Sequence, residues 1–167
     1  ESNYRALQLV IVGEEQFPGY LKRILNAIHK NGLQNSVSLL GQIPHAHVVS
    51  LMQECMIFVF PSTCENCPTS LIEAMSLRVP VACSCFPPMP EIAGDAVLYF
   101  NPLDPFDIAR CMKNLIDDTD LREELKERAY MTTRVFPSRR EVAIQTFDVI
   151  SEIAGSVRSD VMNHRGQ

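Results

Sequence analysis

Hydrophobic positions in the first hundred residues follow two alternating patterns. Short continuous apolar runs are typical of buried strands, and apolar residues recurring at every third or fourth position are typical of amphipathic helices. The strand-like runs are residues 7–12, 37–41, 56–60, 79–83 and 96–100. Helical spacing follows at residues 20–31, 44–54 and 68–77, with one brief turn at 90–93. This alternation predicts an α/β fold with a mostly parallel sheet and helices on both faces.

The pattern changes after Asp104. Apolar residues there mark three successive amphipathic helices, the last of which begins beyond Pro137. Residues 155–167 are polar, and we expect them to form a frayed tail. The chain of 167 residues is 46% hydrophobic, enough for one domain with a real core. We therefore expect one domain over residues 1–154, followed by a tail over 155–167.

Charge and composition exclude several classes of partner. The net charge is −5, and no basic cluster exceeds the pair Arg139-Arg140, so nucleic acid is not an expected partner. No apolar run approaches the length of a membrane span, and the N-terminus lacks the order of a signal peptide. The six cysteines lie mostly in or beside apolar segments, which favours reduced thiols. We expect a cytoplasmic location.

The best indication of function is the turn between the third strand and the helix after it. Glu65 and Glu73 stand eight positions apart, and Pro68 is expected at the first helical position. In open α/β sheets, ligands bind at the carboxyl ends of strands, and a helix N-terminus attracts anions. A carboxylate on each side of such a turn suits a ligand whose hydroxyls flank a phosphate.

Other interpretations of these residues remain open. Glu65 could be an exposed turn acid and Glu73 a solvated helix residue. A different class of function is a zinc-binding module, because two cysteine pairs approach the spacing of a structural zinc site. Its ligands would be Cys64, Cys67, Cys83 and Cys85. A third class is a non-catalytic domain that docks another protein through the last helix.

The order of short motifs resembles that of the GT-B retaining glycosyltransferases grouped as family 4. The resemblance covers nearly the whole chain. Its motifs are Val12-Gly13, Leu40-Gly41, Phe60-Pro61-Ser62, Glu65-x7-Glu73-Ala74-Met75, Val79-Pro80-Val81, Glu91-Ile92-Ala93-Gly94-Asp95-Ala96 and Leu98-Tyr99-Phe100-Asn101-Pro102. The resemblance implies a Rossmann-like domain, the C-terminal half of a GT-B fold. It also implies transfer of a hexose from a nucleotide-sugar, with retention, in cell-envelope polysaccharide or glycoconjugate synthesis.

The resemblance implies separate roles for the two acids. Glu73 matches the residue that accepts hydrogen bonds from the ribose hydroxyls of the donor, a task for which a carboxylate has adjacent lone pairs. Glu65 matches the residue that lies against the transferred sugar, and we take it as the catalytic candidate. The donor sugar would be linked to UDP or GDP, with no cofactor and no metal in the reaction.

The resemblance also implies backbone contacts with the donor. Those near the hexose and diphosphate would come from Asn66, Cys67, Pro68 and Thr69. The loop containing Ile43 would receive the base, and Gly13 would line the donor cleft. Asn66 replaces a common Gly, and Asn is the non-Gly residue best able to adopt the positive φ that a Gly there would suggest, so we expect the replacement to do little harm.

Two further departures from the family pattern matter. Leu77-Arg78 replaces the usual Cys-Gly helix ending, so we expect a different cap there. In the family, this domain opens with an additional strand that ends in an Arg and a Lys, which bind the donor phosphates. The chain begins after that strand, and also after the whole N-terminal domain. We therefore expect a truncated, inactive donor-binding fragment whose partner is the missing N-terminal domain of the same polypeptide. Peripheral membrane association would involve that absent half.

Overall fold

The computed structural model describes residues 7–163, and the backbone alone at residue 139 and residues 155–163. Within this part of the chain, strands and helices alternate up to residue 100 and helices follow. The strands are β1 (Leu9–Val12), β2 (Val37–Gly41), β3 (Phe58–Phe60), β4 (Val81–Ser84) and β5 (Leu98–Phe100). The helices are α1 (Tyr20–Lys30), α2 (His45–Glu54), α3 (Thr69–Ser76), α4 (Met89–Ala93), α5 (Pro105–Asp117), α6 (Thr119–Thr133) and α7 (Arg139–Asn163). The predicted α/β class is confirmed.

The chain divides into two compact units, with the division between Cys55 and Met56. Unit 1 contains a two-stranded sheet in which β1 and β2 run parallel, with Leu9 opposite Val37. Its apolar strand β1 is partly exposed, because Leu9 and Val10 keep 44% and 41% of their surface accessible although they point to opposite faces. Two strands bury little surface, so this sheet gains little stability from its own packing.

Unit 2 contains the larger core. Its three strands are parallel and follow the order β3-β4-β5, so β4 is central and all four of its residues are buried. A continuous run of buried residues is typical of a parallel strand covered on both faces. Phe100, Leu115 and Leu125 from β5, α5 and α6 pack into one cluster with Ala82 of β4. This cluster fixes the sheet on which α3 rests.

The sheets correct two predictions. The sequence predicted one sheet, and the described chain has two, because the periodicity of a strand says nothing about which strands become neighbours. The run at residues 56–60 was expected to be fully buried, but Met56 is 50% exposed and β3 is only partly buried. The reason is position: β3 pairs with β4 and lies at an edge of its sheet.

Helix α3 ends in a Schellman motif without glycine. The Val79 N–H donates to the Ala74 carbonyl at 3.0 Å, and the Arg78 N–H donates to the Met75 carbonyl at 3.1 Å. Arg78 has a φ of 58°, the left-handed conformation that usually belongs to Gly. The expectation of a different cap is therefore wrong, because Arg78 adopts the geometry of a glycine cap. Holding an L-residue in this conformation costs roughly 1–2 kcal/mol.

Helix α7 carries an exposed apolar stripe. The stripe follows helical spacing and consists of Val142, Phe147, Val149, Ile150 and Ile153, which are 45–70% exposed. The helix begins with a capping box, in which the Ser138 N–H donates to Glu141 Oε2 at 2.6 Å and the Glu141 N–H donates to Ser138 Oγ at 3.2 Å. Its backbone continues past Ala154, where a tail was expected, to residue 163. In the described chain, no helix is both long enough and apolar enough to span a membrane.

Candidate functional site

The two acids lie in the loop and the helix that follow β3. Glu65 is half-buried in the loop between β3 and α3, and Glu73 is half-buried on α3. On the core side of α3, Leu71, Ala74 and Met75 are fully buried. These side chains anchor the helix, so Glu73 stands at the boundary between core and solvent. The structure thus places both carboxylates on one strand–loop–helix unit at the carboxyl end of a parallel strand.

Several backbone N–H groups of this turn already have acceptors within the protein, so only some of them are available to a ligand. The Pro68 carbonyl accepts from the Leu71 N–H at 3.0 Å and from the Ile72 N–H at 3.1 Å. Pro68 is therefore the N-cap residue, one position earlier than expected. It has no N–H, and the Thr69 N–H donates to the Cys67 carbonyl at 2.8 Å. The N–H groups of Asn66, Cys67 and Ser70 take no part in these hydrogen bonds and are this turn's candidates for binding an anion.

Asn66 does not use the left-handed conformation that an asparagine tolerates. Positive φ among non-glycine residues of the described chain occurs at Arg78, and Asn66 is not such a residue. The loop makes its turn here with ordinary backbone angles, so an Asn can replace a Gly at this position without that strain.

Gly13 and Ile43, which were predicted to contact the donor, both belong to unit 1. They lie at the carboxyl edge of the two-stranded sheet of that unit. The Gly13 N–H donates to the Gly41 carbonyl at 2.9 Å, and these glycines have φ values of 139° and 62°. Both values lie in the region that side chains disfavour, which explains glycine at the two strand ends. Ile43 is half-buried in the loop between β2 and α2. Gly13 and the loop containing Ile43 thus share one edge.

The four cysteines proposed as zinc ligands differ in their environments. Cys64, Cys67 and Cys85 are exposed, whereas Cys83 is buried in β4. Burial raises the pKa of the Cys83 thiol to about 12, which disfavours the thiolate that zinc requires. Among the side chains that the structure describes, no group of three or more His, Cys, Asp or Glu could hold a metal ion. The structure does not support the zinc alternative.

A contact between α3 and α6 was not expected from the sequence. Arg78 Nη1 donates to Glu127 Oε1 at 2.6 Å, and the Arg78 guanidinium carbon lies 4.1 Å from the centre of the Tyr130 ring. We call these two contacts the Arg78 clamp. The available signal was an Arg where the family pattern has a Gly, but sequence alone does not indicate which distant helix it reaches.

Comparison with known proteins identifies the family. Residues 1–132 match the family model described as Glycosyl transferases group 1. The serotype-specific mannosyltransferase WbdA of Escherichia coli is 32% identical over 120 residues, which are 71% of this chain and 15% of that protein. The O-antigen chain mannosyltransferase B of the same species is 32% identical over 100 residues, covering 60% of this chain and 26% of that protein.

Solved structures agree on the fold. Sucrose-phosphate synthase from Thermosynechococcus elongatus matches with a TM-score of 0.79 and 20% identity, covering 89% of this chain and 39% of that one. HepE from Anabaena in complex with UDP matches with a TM-score of 0.72 and 23% identity, covering 90% of this chain and 41% of that one. The chain thus spans well under half of the proteins it matches, and its structural neighbours are GT-B glycosyltransferases. Because the family model matches residues 1–132, which are most of this chain, the chain belongs to the group 1 glycosyl transferases.

Proposed function

We propose that this chain is the donor-binding part of a retaining hexosyltransferase that uses a nucleotide-sugar in cell-envelope polysaccharide or glycoconjugate synthesis. The observation that carries the proposal is the half-buried pair Glu65 and Glu73 around an uncapped helix start at the end of β3. The mannosyltransferase relatives support a hexose, and mannose is the first sugar to test. The complex of HepE with UDP supports a nucleotide donor.

The chemistry of the turn supports distinct roles for its residues. Glu73, held by the anchored helix α3, accepts hydrogen bonds from the ribose hydroxyls. The N–H groups of Asn66 and Cys67, with the positive end of the α3 dipole, stabilise the leaving diphosphate. The buried ring of Pro68 and its carbonyl fix the start of α3. Thr69, the first residue of that helix, contributes its side chain to the contact with the donor. Contacts of Gly13 and Ile43 with the nucleotide remain predictions for unit 1.

Glu65 acts on the sugar by position and charge. In the mechanism that the family resemblance implies, the acceptor hydroxyl attacks the face from which the diphosphate leaves, and the donor phosphate helps to take the acceptor proton. No base from the protein is then required, and no metal or cofactor takes part. The carboxylate of Glu65 holds the sugar hydroxyls and stabilises the positive charge that develops at the anomeric carbon.

The isolated chain is proposed to be an inactive part of a larger enzyme. The length of the relatives supports this, because the matched segments are only 15% of one mannosyltransferase and 26% of another. The rest of the enzyme would supply the acceptor site and any membrane contact, and a cytoplasmic location remains a prediction. Transfer activity from the purified 167-residue chain would contradict this part of the proposal.

Replacement of Glu73 tests the proposed donor site. Glu73→Ala removes a carboxylate expected to receive two hydroxyl donors, so nucleotide-sugar binding should weaken by about 1–3 kcal/mol. Calorimetric titration of the complete polypeptide that carries this chain with UDP-, GDP- and ADP-linked sugars measures the change and identifies the nucleotide.

Glu123→Gln is the matched control for this experiment. Glu123 lies on α6 and pairs with Lys126 at 2.7 Å, so its loss should leave donor affinity unchanged. Equal donor affinity in Glu73→Ala and the wild-type protein would refute the ribose role. Absence of binding to all three donors in the wild-type protein would refute the proposed function itself.

A further inference from the structure

Arg78 adopts the left-handed conformation that the Schellman motif requires, but the motif does not require an arginine at this position. A glycine would complete the same Schellman motif without the steric cost. The strain is stable only where other interactions over-determine it. At Arg78 those interactions are the hydrogen-bonded ion pair with Glu127 at 2.6 Å and the stacking of the guanidinium over Tyr130 at 4.1 Å. The contacts of the Arg78 side chain therefore stabilise a conformation that the backbone alone disfavours.

The clamp connects the end of α3 to a helix that is itself fixed. Leu125 and Ala129 of α6 are buried in the core, one on each side of Glu127 in sequence. Tyr130 is half-buried next to Ala129. The ion pair lies at the surface, with 48% of the Arg78 side chain and 62% of the Glu127 side chain exposed. Together the two contacts connect α6 to the segment that directly follows α3.

Glu73 belongs to the last turn of α3. Its carbonyl accepts the Leu77 N–H at 3.0 Å and the Ser76 hydroxyl at 2.8 Å. Leu77 is the residue directly before Arg78, so two hydrogen bonds join the backbone of Glu73 to the clamped segment. A shift of the helix end would therefore move the Glu73 carboxylate.

We propose that Arg78 is a positioning residue for the donor site: the Arg78 clamp holds the final turn of α3, and with it the Glu73 carboxylate, in the geometry that binds the nucleotide. This inference rests on the proposed function. It assigns a role in substrate affinity to a residue outside the turn that contacts the donor.

The variant Arg78→Gly separates positioning from stability. Glycine removes the clamp and also removes the backbone strain, so the thermal midpoint of the nucleotide-free protein should stay the same or rise. Nucleotide affinity should nevertheless fall about threefold to tenfold, the usual size of coupling through such networks. Both quantities are measured on the complete polypeptide, with UDP, GDP and ADP as probes and with kcat and KM where transfer is detected.

A conservative variant and a control complete the test. Arg78→Lys keeps a positive charge within reach of Glu127 but loses the planar stacking on Tyr130, so it should restore part of the affinity although its backbone strain remains. Glu123→Gln removes an acidic partner from the same helix without touching Arg78 and should bind as the wild-type protein does.

Three results would overturn the inference. They are unchanged nucleotide affinity in Arg78→Gly, an equal loss of affinity in Arg78→Lys, and a loss of affinity accompanied by a lower thermal midpoint, which would make the role structural only. A wild-type protein that binds none of the nucleotides would instead refute the proposed function, and this inference with it.

Discussion

Burial divides five of the six cysteine thiols into two chemical groups, and the partly buried Cys55, whose pKa burial also raises, lies between them. The Cys83 and Cys111 side chains lie in the core of unit 2, and burial raises the pKa of both thiols, that of Cys83 to about 12. Cys64, Cys67 and Cys85 are exposed. Because the thiolate is the nucleophile, exposure and pKa together decide which cysteines react.

Thiol labelling of the folded protein should follow this division. At neutral pH, maleimide should modify Cys64, Cys67 and Cys85 within the first minutes, whereas Cys83 should react only after unfolding. Peptide mass spectrometry before and after addition of denaturant reads out each site. Modification of Cys83 in the native protein at the rate of Cys85 would show that β4 is not buried as described.

At the level of single elements, short polar caps define where the C-terminal helices begin. Asp118 ends α5 and starts α6: its N–H donates to the Asn114 carbonyl at 3.0 Å, and its carboxylate accepts the Leu121 N–H at 2.9 Å. Asp104 caps α5 in the same manner, accepting from the Phe106 N–H. Each cap satisfies a helical donor that would otherwise lack a partner.

Loss of the cap at Asp118 should lower the free energy of unfolding by about 1 kcal/mol. The experiment compares the urea midpoints of Asp118→Ala and Asp118→Asn with that of the wild-type protein. Asparagine keeps a side-chain oxygen that accepts the Leu121 N–H, so it should restore most of the stability. Equal destabilisation by both variants would mean that the capping bond contributes nothing measurable.

The sequence predicted these elements well and their associations poorly. All five strands and all seven helices of the described chain begin near the positions that hydrophobic spacing indicated, since that spacing is a local property, but α7 continues to Asn163, beyond the end expected at Ala154. The sheet order, the partial burial of β3 and the contact of Arg78 with Glu127 depend on residues far apart in sequence. The position of the acidic turn was predictable, but the bond from the Thr69 N–H to the Cys67 carbonyl was not, because it depends on backbone angles.

At the scale of the whole molecule, apolar burial is concentrated in one unit. Within the described chain, the fully buried apolar side chains of unit 1 are Ile28 and Met52, and the others belong to unit 2. A two-stranded sheet with partly exposed faces opens at lower cost than a three-stranded sheet whose central strand is buried. The two units should therefore differ in local stability.

Hydrogen exchange should resolve this difference. We expect the amides of β4 to be the most protected and those of β1 and β2 to exchange much faster under native conditions, because less buried surface resists their opening. Exchange measured by mass spectrometry on overlapping peptides gives both rates in one experiment. Equal protection of β1 and β4 would indicate that unit 1 has as much stabilising packing as unit 2.

The apolar stripe of α7 has a practical consequence for handling the protein. Salts such as ammonium sulfate strengthen the association of apolar surfaces, and large exposed patches respond first. Phe147 and Ile150 are 70% and 60% exposed, so molecules should associate along this helix before their cores are perturbed. We therefore expect polar substitutions at these two positions to raise the salt concentration at which the isolated chain precipitates, while the fold stays intact.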